Sequence, residues 1–581
     1  MHDPHPVHPL GTEARVLLTS VFGPYAQDDE YGSRTLNPME LYHNQVTRVQ
    51  GVFSLRMFHR SFGLMMIQAN LDAPCTLLDF PSQDRFIEEL RENDYDIIGI
   101  SSIMPNVGKV KRMCELIREY QPQATIVVGG HIANILDVES RFDADYVVKG
   151  DGVAWFRRFL GQKTDIPVRH PVVLSGFGTR ILGAYAPDKT GDTAAILIPS
   201  VGCPMGCNFC STSAMFGGKG KGIDFYETGD ALFTLMCQLE EKLGVKSFFT
   251  LDENFLLKKD RALRLLELMQ EHDKSWALYV FSSARVLKSY TMEQLVGLGV
   301  SWVWMGLEGR GSAYEKLEGI DTQQLVREYE AHGIRILGST IIGLEEHRPE
   351  DYDDIIDWAV GHDTVFHQFM LYTPVQGTPL FKQHQEEGNL LSEEEMPPAD
   401  IHGQYRFNYR HKHMPEGDET ELIVRAFQRD FEVNGPSLLR MFRVTLDGLR
   451  RYRNHPEARI RDRFEREAQS LGNAYSAAAW AMRKWYRKDP RMRAKVDAVL
   501  RDIYEQFGLK PRIIAPLLGR AVYIAMKREA KRLAAGWTYE PGTFYEKNAQ
   551  AQALEQTDGV RSTAVSPALE WVTCELLPAV D

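Results

Sequence analysis

The segment Ser200–Gly217 reads "SVGCPMGCNFCSTSAMFG" and holds three of the seven cysteines of the 581-residue chain. Cys203, Cys207 and Cys210 follow the spacing C-x3-C-x2-C, directly after the apolar run "AAILIPS". A structural zinc site needs four ligands, usually in two separated pairs, and no fourth Cys or His stands at a matching distance. Three thiolates on one loop suit three irons of a 4Fe-4S cluster and leave the fourth iron open. The loop therefore predicts a reactive iron–sulfur site.

One strand-like run precedes this loop and five follow it. They are "AAILIPS", "KSFFTL", "WALYVFS", "WVWMGLE", "IRILGSTIIG" and "FHQFMLYTP", and helical patterns separate them. Short apolar runs alternating with amphipathic helices predict parallel strands. We expect an open, partial (β/α)6 barrel over residues 193–400, with its functional groups at the carboxyl ends of the strands. The cysteine loop follows the first of these strands.

Five earlier runs, "ARVLLTSVF", "CTLLDF", "YDIIGISS", "ATIVVGGH" and "ADYVVKGDG", also alternate with helical patterns. They predict a doubly wound, Rossmann-like α/β domain over residues 14–165, in which a ligand binds at the carboxyl ends of the strands. Small residues there would let a bulky ligand approach the backbone, although glycine pairs at strand ends are also ordinary turns. The candidate residues at these ends are Ser101, Ser102, Ile103, Met104, Gly129, Gly130, Gly150, Asp151 and Gly152.

The remaining segments complete the predicted organisation. We expect a disordered N-terminus over residues 1–13, a linker over 166–192, a basic α-helical C-terminal domain over 401–540 and a weakly structured tail over 541–581. Residues 436–540 hold 24 Lys and Arg against 11 Asp and Glu, a local balance of +13 in a chain whose net charge is −12. Such asymmetry indicates an anionic partner for the late segment.

The other four cysteines stand alone, so a disulfide framework is not expected and a reducing cytoplasm fits best. The N-terminal stretch has no basic region followed by an apolar one, and no apolar run approaches the roughly 18 residues of a membrane span. These features predict a cytoplasmic protein, with peripheral contact at the inner face of a membrane as an open alternative.

The run "CPMGCNFC" resembles the signature of the radical S-adenosylmethionine (SAM) superfamily, including the aromatic residue before the last cysteine, Phe209. The resemblance implies that SAM binds the open iron and yields a 5'-deoxyadenosyl radical. It also implies that residues at the strand ends contact SAM. The "DEN" triplet would hold the amino group of SAM, and residues after the third strand would hold its ribose and carboxylate. A glutamate side chain at the end of the fourth strand completes the set. The residues at those positions are Phe209, Asp252, Glu253, Asn254, Ser283, Arg285 and Glu308.

The first domain resembles the cobalamin-binding domain that precedes the barrel in one branch of that superfamily, through "VVGGHIANI" and "ADYVVKGDG". The resemblance covers roughly residues 14–400 and adds His131 to the candidate cobalamin contacts. The D-x-H-x-x-G motif, whose His ligates cobalt, is absent after the first strand, which continues "TSVFGPY". This departure implies base-off cobalamin without a His ligand, with Ile103, Met104 or a water facing its lower side.

The two cofactors together imply a methyltransferase that methylates an unactivated carbon through the 5'-deoxyadenosyl radical and methylcobalamin. A cyclase or carbon–carbon bond-forming enzyme of the same branch, a non-catalytic cobalamin sensor and a zinc-stabilised scaffold remain alternatives. Methylthiotransferases are excluded because their first domain carries three cysteines for a second cluster, whereas this one has only Cys75 and Cys114. No catalytic side chain stands out, and Tyr372 is a weak candidate for a late hydrogen donor.

The helical pattern of residues 516–537, "PLLGRAVYIAMKREAKRLAAGW", suggests what the substrate is. It places Leu518, Val522, Ala525, Met526, Leu533 and Trp537 on one face and basic residues on another, a pattern of interfacial helices and equally of helices packed on a domain. We expect a lipid, isoprenoid or other small-molecule substrate and a flavodoxin- or ferredoxin-type electron donor. Nucleic acid is not expected, because the aromatic residues lack the spacing of a base-stacking platform.

Overall fold

The computed structural model describes residues 6–23, 30–33, 36, 40–176, 179–186, 193–310, 314–536, 542–557 and 569–573. In the described residues of the N-terminal part there are nine strands, several of them very short, and four α-helices. The strands are β1 Val16–Ser20, β2 Arg56–Met57, β3 Cys75–Asp79, β4 Ile97–Ser101, β5 Thr125–Gly129, β6 Tyr146–Val148, β7 His170–Pro171, β8 Thr179–Ile181 and β9 Ala184–Ala186. The helices are α1 Phe62–Ala69, α2 Gln83–Glu92, α3 Val107–Tyr120 and α4 Gly152–Phe159.

The five predicted runs of this part form one parallel sheet in the order β3-β1-β4-β5-β6. All residues of β1 and β3 are buried, as expected for a parallel sheet covered by helices on both faces. Gly99 in β4 leaves room for its neighbours, because a Cβ there would lie 2.8 Å from the side chain of Leu18. The predicted Rossmann-like architecture is confirmed.

The second part, as far as the structure describes it, contains eight strands and eight α-helices. The strands are β10 Ala195–Leu197, β11 Ser200–Val201, β12 Ile223–Asp224, β13 Ser247–Thr250, β14 Ala277–Ser283, β15 Val300–Glu308, β16 Arg335–Ile342 and β17 Phe366–Leu371. The helices are α5 Ser211–Met215, α6 Gly229–Leu243, α7 Lys259–Glu271, α8 Ala284–Leu287, α9 Met292–Gly297, α10 Thr322–Ala331, α11 Tyr352–Val360 and α12 Pro379–Glu387.

Six of these strands pair in parallel in their sequence order, β10-β13-β14-β15-β16-β17. They correspond one for one to the six predicted runs, and helices connect them. The first two strands of this sheet are close to the first domain, since Ile196 and Ile198 belong to the same buried cluster as Val16 and Phe156. The two parallel sheets therefore share a core.

The C-terminal part is helical, as predicted. Its elements are α13 Asp418–Asn434, α14 Ser437–Tyr452, α15 Ala458–Ala468, α16 Ala474–Trp485, α17 Pro490–Phe507 and α18 Leu509–Ala534, followed by β18 Phe544–Lys547, α19 Ala549–Thr557 and β19 Trp571–Val572. Helices α14, α16, α17 and α18 bury a common core, to which Val52 and Phe53 of the N-terminal part contribute. No helix in the described residues is long and apolar enough to cross a membrane.

Where the structure describes the two terminal segments, they depart from the predicted disordered N-terminus and the predicted weakly structured tail. The backbone amide of His8 donates to the carbonyl of Phe159, which fixes the start of the chain on α4. Strand β18 pairs antiparallel with β3 and becomes the edge strand of the first sheet. The expected tail is therefore wrong for residues 544–547. Pattern analysis missed this strand because an edge strand of four residues with two charged side chains carries little apolar periodicity.

Candidate active site

The three cysteines lie on a half-buried loop between β11 and β12, which pair antiparallel with Val201 opposite Ile223. Gly206 lies in the left-handed region at φ +66°, and a Cβ there would lie 2.5 Å from the Cβ of Lys219. The sequence therefore needs glycine at this position to fold the loop back on itself. Cys210 caps α5, because its sulfur accepts from the backbone amide of Ser213 at 3.5 Å.

None of these cysteines forms a disulfide. Burial raises the pKa of the Cys203 and Cys210 thiols, and the neighbouring Cys207 raises them further. The three cysteines lie within eight positions of one loop, and bound iron would hold their sulfurs as thiolates. In the described part of the chain, no three His, Cys, Asp or Glu side chains converge on a point where a single metal ion could bind. Ligands that serve three different irons of one cluster do not need such convergence.

Asp252, predicted among the SAM contacts, lies in a buried ion pair with Arg261, whose Nη2 lies 2.6 Å from its Oδ2. The Ser200 hydroxyl also donates to this carboxylate, and the backbone amide of Asn254 donates to it at 3.1 Å. Asp252 thus joins the strand that enters the cysteine loop to the loop after β13. Its two oxygens are engaged within the protein.

Glu253, the next residue, faces a cavity and has a different environment. Its Oε2 is buried without a hydrogen-bond partner among the described residues. Its pKa is raised to about 7, chiefly by burial and also by the Asp252 carboxylate, although backbone amides, including that of Gly202, act to lower it. A buried carboxyl group with an unused oxygen is suited to a cationic ligand.

Asn254 and Ser283 meet the cysteine loop at Met205. The Asn254 side-chain amide donates to the Met205 sulfur at 3.2 Å, and the Ser283 hydroxyl donates to it at 3.9 Å. Ser282 in turn donates to the Asn254 carbonyl oxygen at 3.1 Å. The structure therefore brings the ends of β13 and β14 against the cysteine loop.

Glu308, at the end of β15, has a left-handed backbone with φ +54°, which is a costly conformation for a non-glycine residue and is often found at functional sites. Its carboxylate forms a buried ion pair with Lys316. The Lys316 ammonium lies 5.4 Å from the ring centroid of Phe209 in the cysteine loop. Burial alone would lower the pKa of Lys316, but Glu308 and Cys207 raise it above its usual value. Lys316 therefore places a positive charge next to the thiols.

Tyr372 follows β17 and belongs to a hydrogen-bonded triangle beside the same loop. Its hydroxyl accepts from the Asn208 amide at 3.2 Å and from the Tyr314 hydroxyl at 3.1 Å, and Tyr314 also contacts the Asn208 carbonyl oxygen at 3.2 Å. Burial raises the pKa of Tyr372, although its hydrogen bonds to Tyr314 and Asn208 lower it. The Phe209 ring packs edge-on against Tyr314, with 5.3 Å between centroids.

A cavity of about 470 Å³ separates the strand ends of the first sheet from the barrel, a size within the usual range for small-molecule sites. The first sheet and its helices contribute mainly small and apolar residues, while the barrel side adds Glu253. The predicted cobalamin residues that line the cavity are Ser101, Gly129, Gly130, His131, Gly150, Asp151 and Gly152. The barrel side contributes Ile198, Val201, Phe225, Leu251, Asp252, Glu253 and Phe281.

Position 130 of this lining requires glycine, whereas a Cβ at position 152 would meet only the flexible end of a side chain. Gly130 has φ +84°, and a Cβ there would lie 2.5 Å from the carbonyl oxygen of Ser102. A Cβ on Gly152 would lie 2.9 Å from the side chain of Ile67. His131 follows with a buried Nδ1 that has no partner among the described residues, and burial lowers its pKa. The strand ends thus present bare backbone and a neutral imidazole to the cavity.

The three other predicted cobalamin residues, Ser102, Ile103 and Met104, lie outside this lining, as does the predicted SAM contact Arg285. Ile103 and Met104 lead into a short helical turn, and Met104 lines a separate small crevice with Pro374 and Gln376. Ser102 is buried, and its backbone amide donates to the carbonyl of Gly129. Arg285, predicted as a SAM contact, is exposed on α8. Neither Ile103 nor Met104 therefore borders the cavity in which a corrin would bind.

The two domains also meet directly beside the cysteines. The Asn134 side-chain amide donates to the carbonyl of Ser211, the residue after Cys210, at 3.1 Å. Gly377, after β17, also packs here, since a Cβ on it would lie 2.9 Å from the Asn134 carbonyl oxygen. Sequence reasoning missed Asn134, Asn208 and Lys316, because single polar residues in loops carry no periodicity or spacing that marks them.

The arrangement defines a class of protein: a Rossmann-like ligand-binding domain whose strand ends face a second, six-stranded parallel α/β sheet with a tri-cysteine loop. Residues 51–160 match the family model of the B12 binding domain. This match confirms the cobalamin-binding type of the first domain and begins inside the predicted range of residues 14–165.

The chain is similar to known methyltransferases over about half its length. It is 26% identical to bacteriochlorophyllide d C-12(1)-methyltransferase of Chlorobaculum tepidum over 53% of this chain and 69% of that protein. It is 24% identical to an uncharacterized methyltransferase of Pyrococcus horikoshii over 50% of this chain and 70% of that protein. Both relatives are named methyltransferases, which agrees with the predicted resemblance and, with the B12 binding domain, supports an enzyme.

A more distant relative and two solved structures were also found. Cytidylyl-2-hydroxyethylphosphonate methyltransferase of Streptomyces wedmorensis is 21% identical over 60% of this chain and 77% of that protein. The radical SAM methyltransferase TsrM of Kitasatospora setae, solved with cobalamin and a 4Fe-4S cluster, superposes with a TM-score of 0.48 and 15% identity over 79% of this chain and 99% of that one. The same protein with tryptophan and a SAM analogue gives a TM-score of 0.47, also with 15% identity, over 80% and 100% of the two chains.

Proposed function

We propose that the chain is a cobalamin-dependent radical SAM methyltransferase acting on an unactivated carbon. The observation that carries this proposal is one cavity bordered on one side by the strand ends of the B12 binding domain and on the other by the loop after β13, which contacts the cysteine loop. A group held at one wall would face a group held at the opposite wall, and the cavity between them has a volume of about 470 Å³.

Cys203, Cys207 and Cys210 would hold the 4Fe-4S cluster. Glu253 would pair with the amino group of SAM, because Asp252 is already neutralised by Arg261 and Glu253 keeps a free oxygen. When bound, the cluster with SAM supplies one-electron chemistry, and cobalamin supplies the methyl group. A flavodoxin- or ferredoxin-type electron donor belongs to the same proposal.

The chain itself would contribute position, charge and exclusion of water. The glycine backbone at the ends of β5 and β6 lets a flat ligand lie close to the sheet, and the apolar barrel wall around Phe281 keeps solvent away from it. His131 stays neutral at physiological pH because burial lowers its pKa, so it offers an unprotonated nitrogen. Base-off binding without a His ligand after β1 remains part of the proposal, but without Ile103 or Met104 at the lower face.

A lipid or isoprenoid substrate is the class we favour, with other small molecules as the alternative. The barrel side of the cavity is apolar apart from Asp252 and Glu253, and Phe281 stacks on Trp304 with 5.2 Å between ring centroids. Such a wall is suited to hydrocarbon more than to a charged nucleotide or peptide. A hydrophobic substrate would be met at a membrane surface, so peripheral membrane contact is included in the proposal.

The test is anaerobic incubation of reconstituted, reduced protein with methyl-labelled SAM and a membrane lipid extract. We expect 5'-deoxyadenosine together with label in a lipid product. Cys207→Ala should abolish both, whereas Cys237→Ala, which removes a free half-buried cysteine on α6, should leave both intact. 5'-Deoxyadenosine without a labelled lipid would reject the lipid substrate, and bound cobalamin without SAM cleavage would indicate a sensor.

A further inference from the structure

Helix α18 is anchored to the C-terminal domain along one face. Gly519 permits close packing on α16, since a Cβ there would lie 2.6 Å from the Trp480 ring. Ala515 and Met526 are fully buried on the same face, and Tyr523 is 7% exposed. The helix therefore has a fixed orientation, and residues a half-turn away from this face point to solvent.

That outer face is aliphatic in its first four turns. The exposed fractions are 76% for Leu509, 61% for Ile513, 63% for Leu517, 52% for Leu518 and 51% for Ile524. The spacings from 509 to 513, 517 and 524 are helical repeats, so these four side chains form one stripe, in which Arg520 also lies and beside which Leu518 is exposed. Solvent-exposed aliphatic side chains are common singly, whereas a continuous stripe marks an interaction surface.

This stripe differs from the face that the sequence suggested. Met526 is buried, and Val522 and Leu533 pack against the core of the C-terminal domain. Leu518 is exposed, and Trp537 lies outside the described residues. The predicted apolar face thus serves packing, and a second apolar face was hidden in the sequence because a helix that is apolar on two sides has little net amphipathicity.

The charges of α18 have one sign outside its packed face. The basic residues are Lys510, Arg512, Arg520, Lys527, Arg528, Lys531 and Arg532. The helix contains one acidic residue, Glu529, which is 4% exposed and paired with Arg180 at 2.7 Å. Tyr185, 54% exposed, belongs to the hairpin whose Gly183 packs on Ala525 of this helix. An interfacial helix has such a composition: aliphatic and aromatic side chains beside exposed cations.

We propose that the outer face of α18 docks on an anionic lipid bilayer. The aliphatic stripe would enter the boundary between headgroups and acyl chains, and the cations of the last two turns would bind the headgroups. A second copy is a poorer occupant, because a twofold contact through this face would bring cationic helices together. This docking extends the proposed function, because it would bring the enzyme to a lipid substrate. Only that purpose rests on the proposed function, since docking itself does not require catalysis.

The experiment is flotation of the full-length protein with vesicles of phosphatidylcholine alone or mixed with phosphatidylglycerol. We expect binding to the anionic vesicles that weakens with salt. Each cation near the surface is worth about a fivefold change in affinity, so Arg528→Gln with Lys531→Gln should weaken binding about 30-fold at low salt. Ile513→Glu with Leu517→Glu should abolish binding, whereas Leu136→Glu, at an exposed position of the first domain, should not.

Circular dichroism and 5'-deoxyadenosine formation without vesicles separate this inference from the proposed function. The α18 variants should keep both at wild-type values, because they alter neither the core nor the cavity. Equal binding to both vesicle types, or none to anionic vesicles, would overturn the docking proposal while leaving the enzyme intact. A concentration-dependent dimer that Ile513→Glu dissociates would assign the face to a second copy.

Discussion

Glu253→Gln tests the electrostatics of the cavity quantitatively. The pKa of Glu253 rises from 4.5 to about 7, first through burial and then through Asp252. A carboxyl group with a higher pKa in the folded state binds more protons when folded, so its ionisation lowers stability as the pH rises from 4.5 through 7. At about 1.4 kcal/mol per tenfold difference in proton affinity, ionised Glu253 costs about 3 kcal/mol at pH 8 and less than about 1 kcal/mol at pH 5.

Urea unfolding of the cofactor-free protein measures this cost. Glu253→Gln removes the charge, so the variant should gain about 3 kcal/mol over wild type at pH 8 and less than about 1 kcal/mol at pH 5. Glu394→Gln, at an exposed carboxylate, should shift neither value. A pH-independent effect of Glu253→Gln, or a larger loss of stability at pH 8, would refute the burial of Glu253. SAM affinity should fall in the same variant, because an amide does not pair with an ammonium group.

Three further substitutions address other parts of the site. Gly130→Val should lose cobalamin, measured by absorbance, because its side chain meets the Ser102 carbonyl, whereas Gly388→Ala shares a left-handed backbone but meets no atom and should retain it. Arg261→Met should lower the free energy of unfolding by about 3–5 kcal/mol, because it leaves the buried Asp252 carboxylate without its cation. An unchanged free energy of unfolding would contradict the ion pair. Tyr372→Phe removes two hydrogen bonds worth about 1 kcal/mol each, so 5'-deoxyadenosine formation should fall by no more than about 30-fold; a loss of about a thousandfold would make Tyr372 catalytic.

The strands and their order were accessible from the sequence because parallel strands buried on both faces are continuous apolar runs. All five runs of the first domain and all six of the barrel become strands of the two sheets. The cysteine loop was equally accessible, because its function depends on a local spacing. Six of the seven predicted cobalamin residues that line the cavity follow from their position at strand ends alone, and His131 follows from the resemblance.

Long-range partners were not accessible. Nothing in the local pattern shows that Arg261 neutralises Asp252 or that Lys316 pairs with Glu308, since each pair joins different segments through side chains. Strand β18 lies more than 450 residues from its partner β3 in the chain, and its four residues fit a strand only where β3 leaves an unpaired edge. The sequence pattern also does not separate the packed face of α18 from its exposed apolar face, because periodicity identifies an apolar face without indicating what covers it.

In the proposed enzyme, a cobalamin and an iron–sulfur cluster face each other across one cavity. The most direct test is electron paramagnetic resonance of the reconstituted protein, with cobalt in its paramagnetic Co(II) state and the cluster reduced. We predict that the reduced cluster broadens the cobalt spectrum or speeds its relaxation, and that Cys207→Ala, which retains cobalamin, restores an unperturbed spectrum. A cobalt spectrum unchanged by the reduced cluster would contradict the shared cavity.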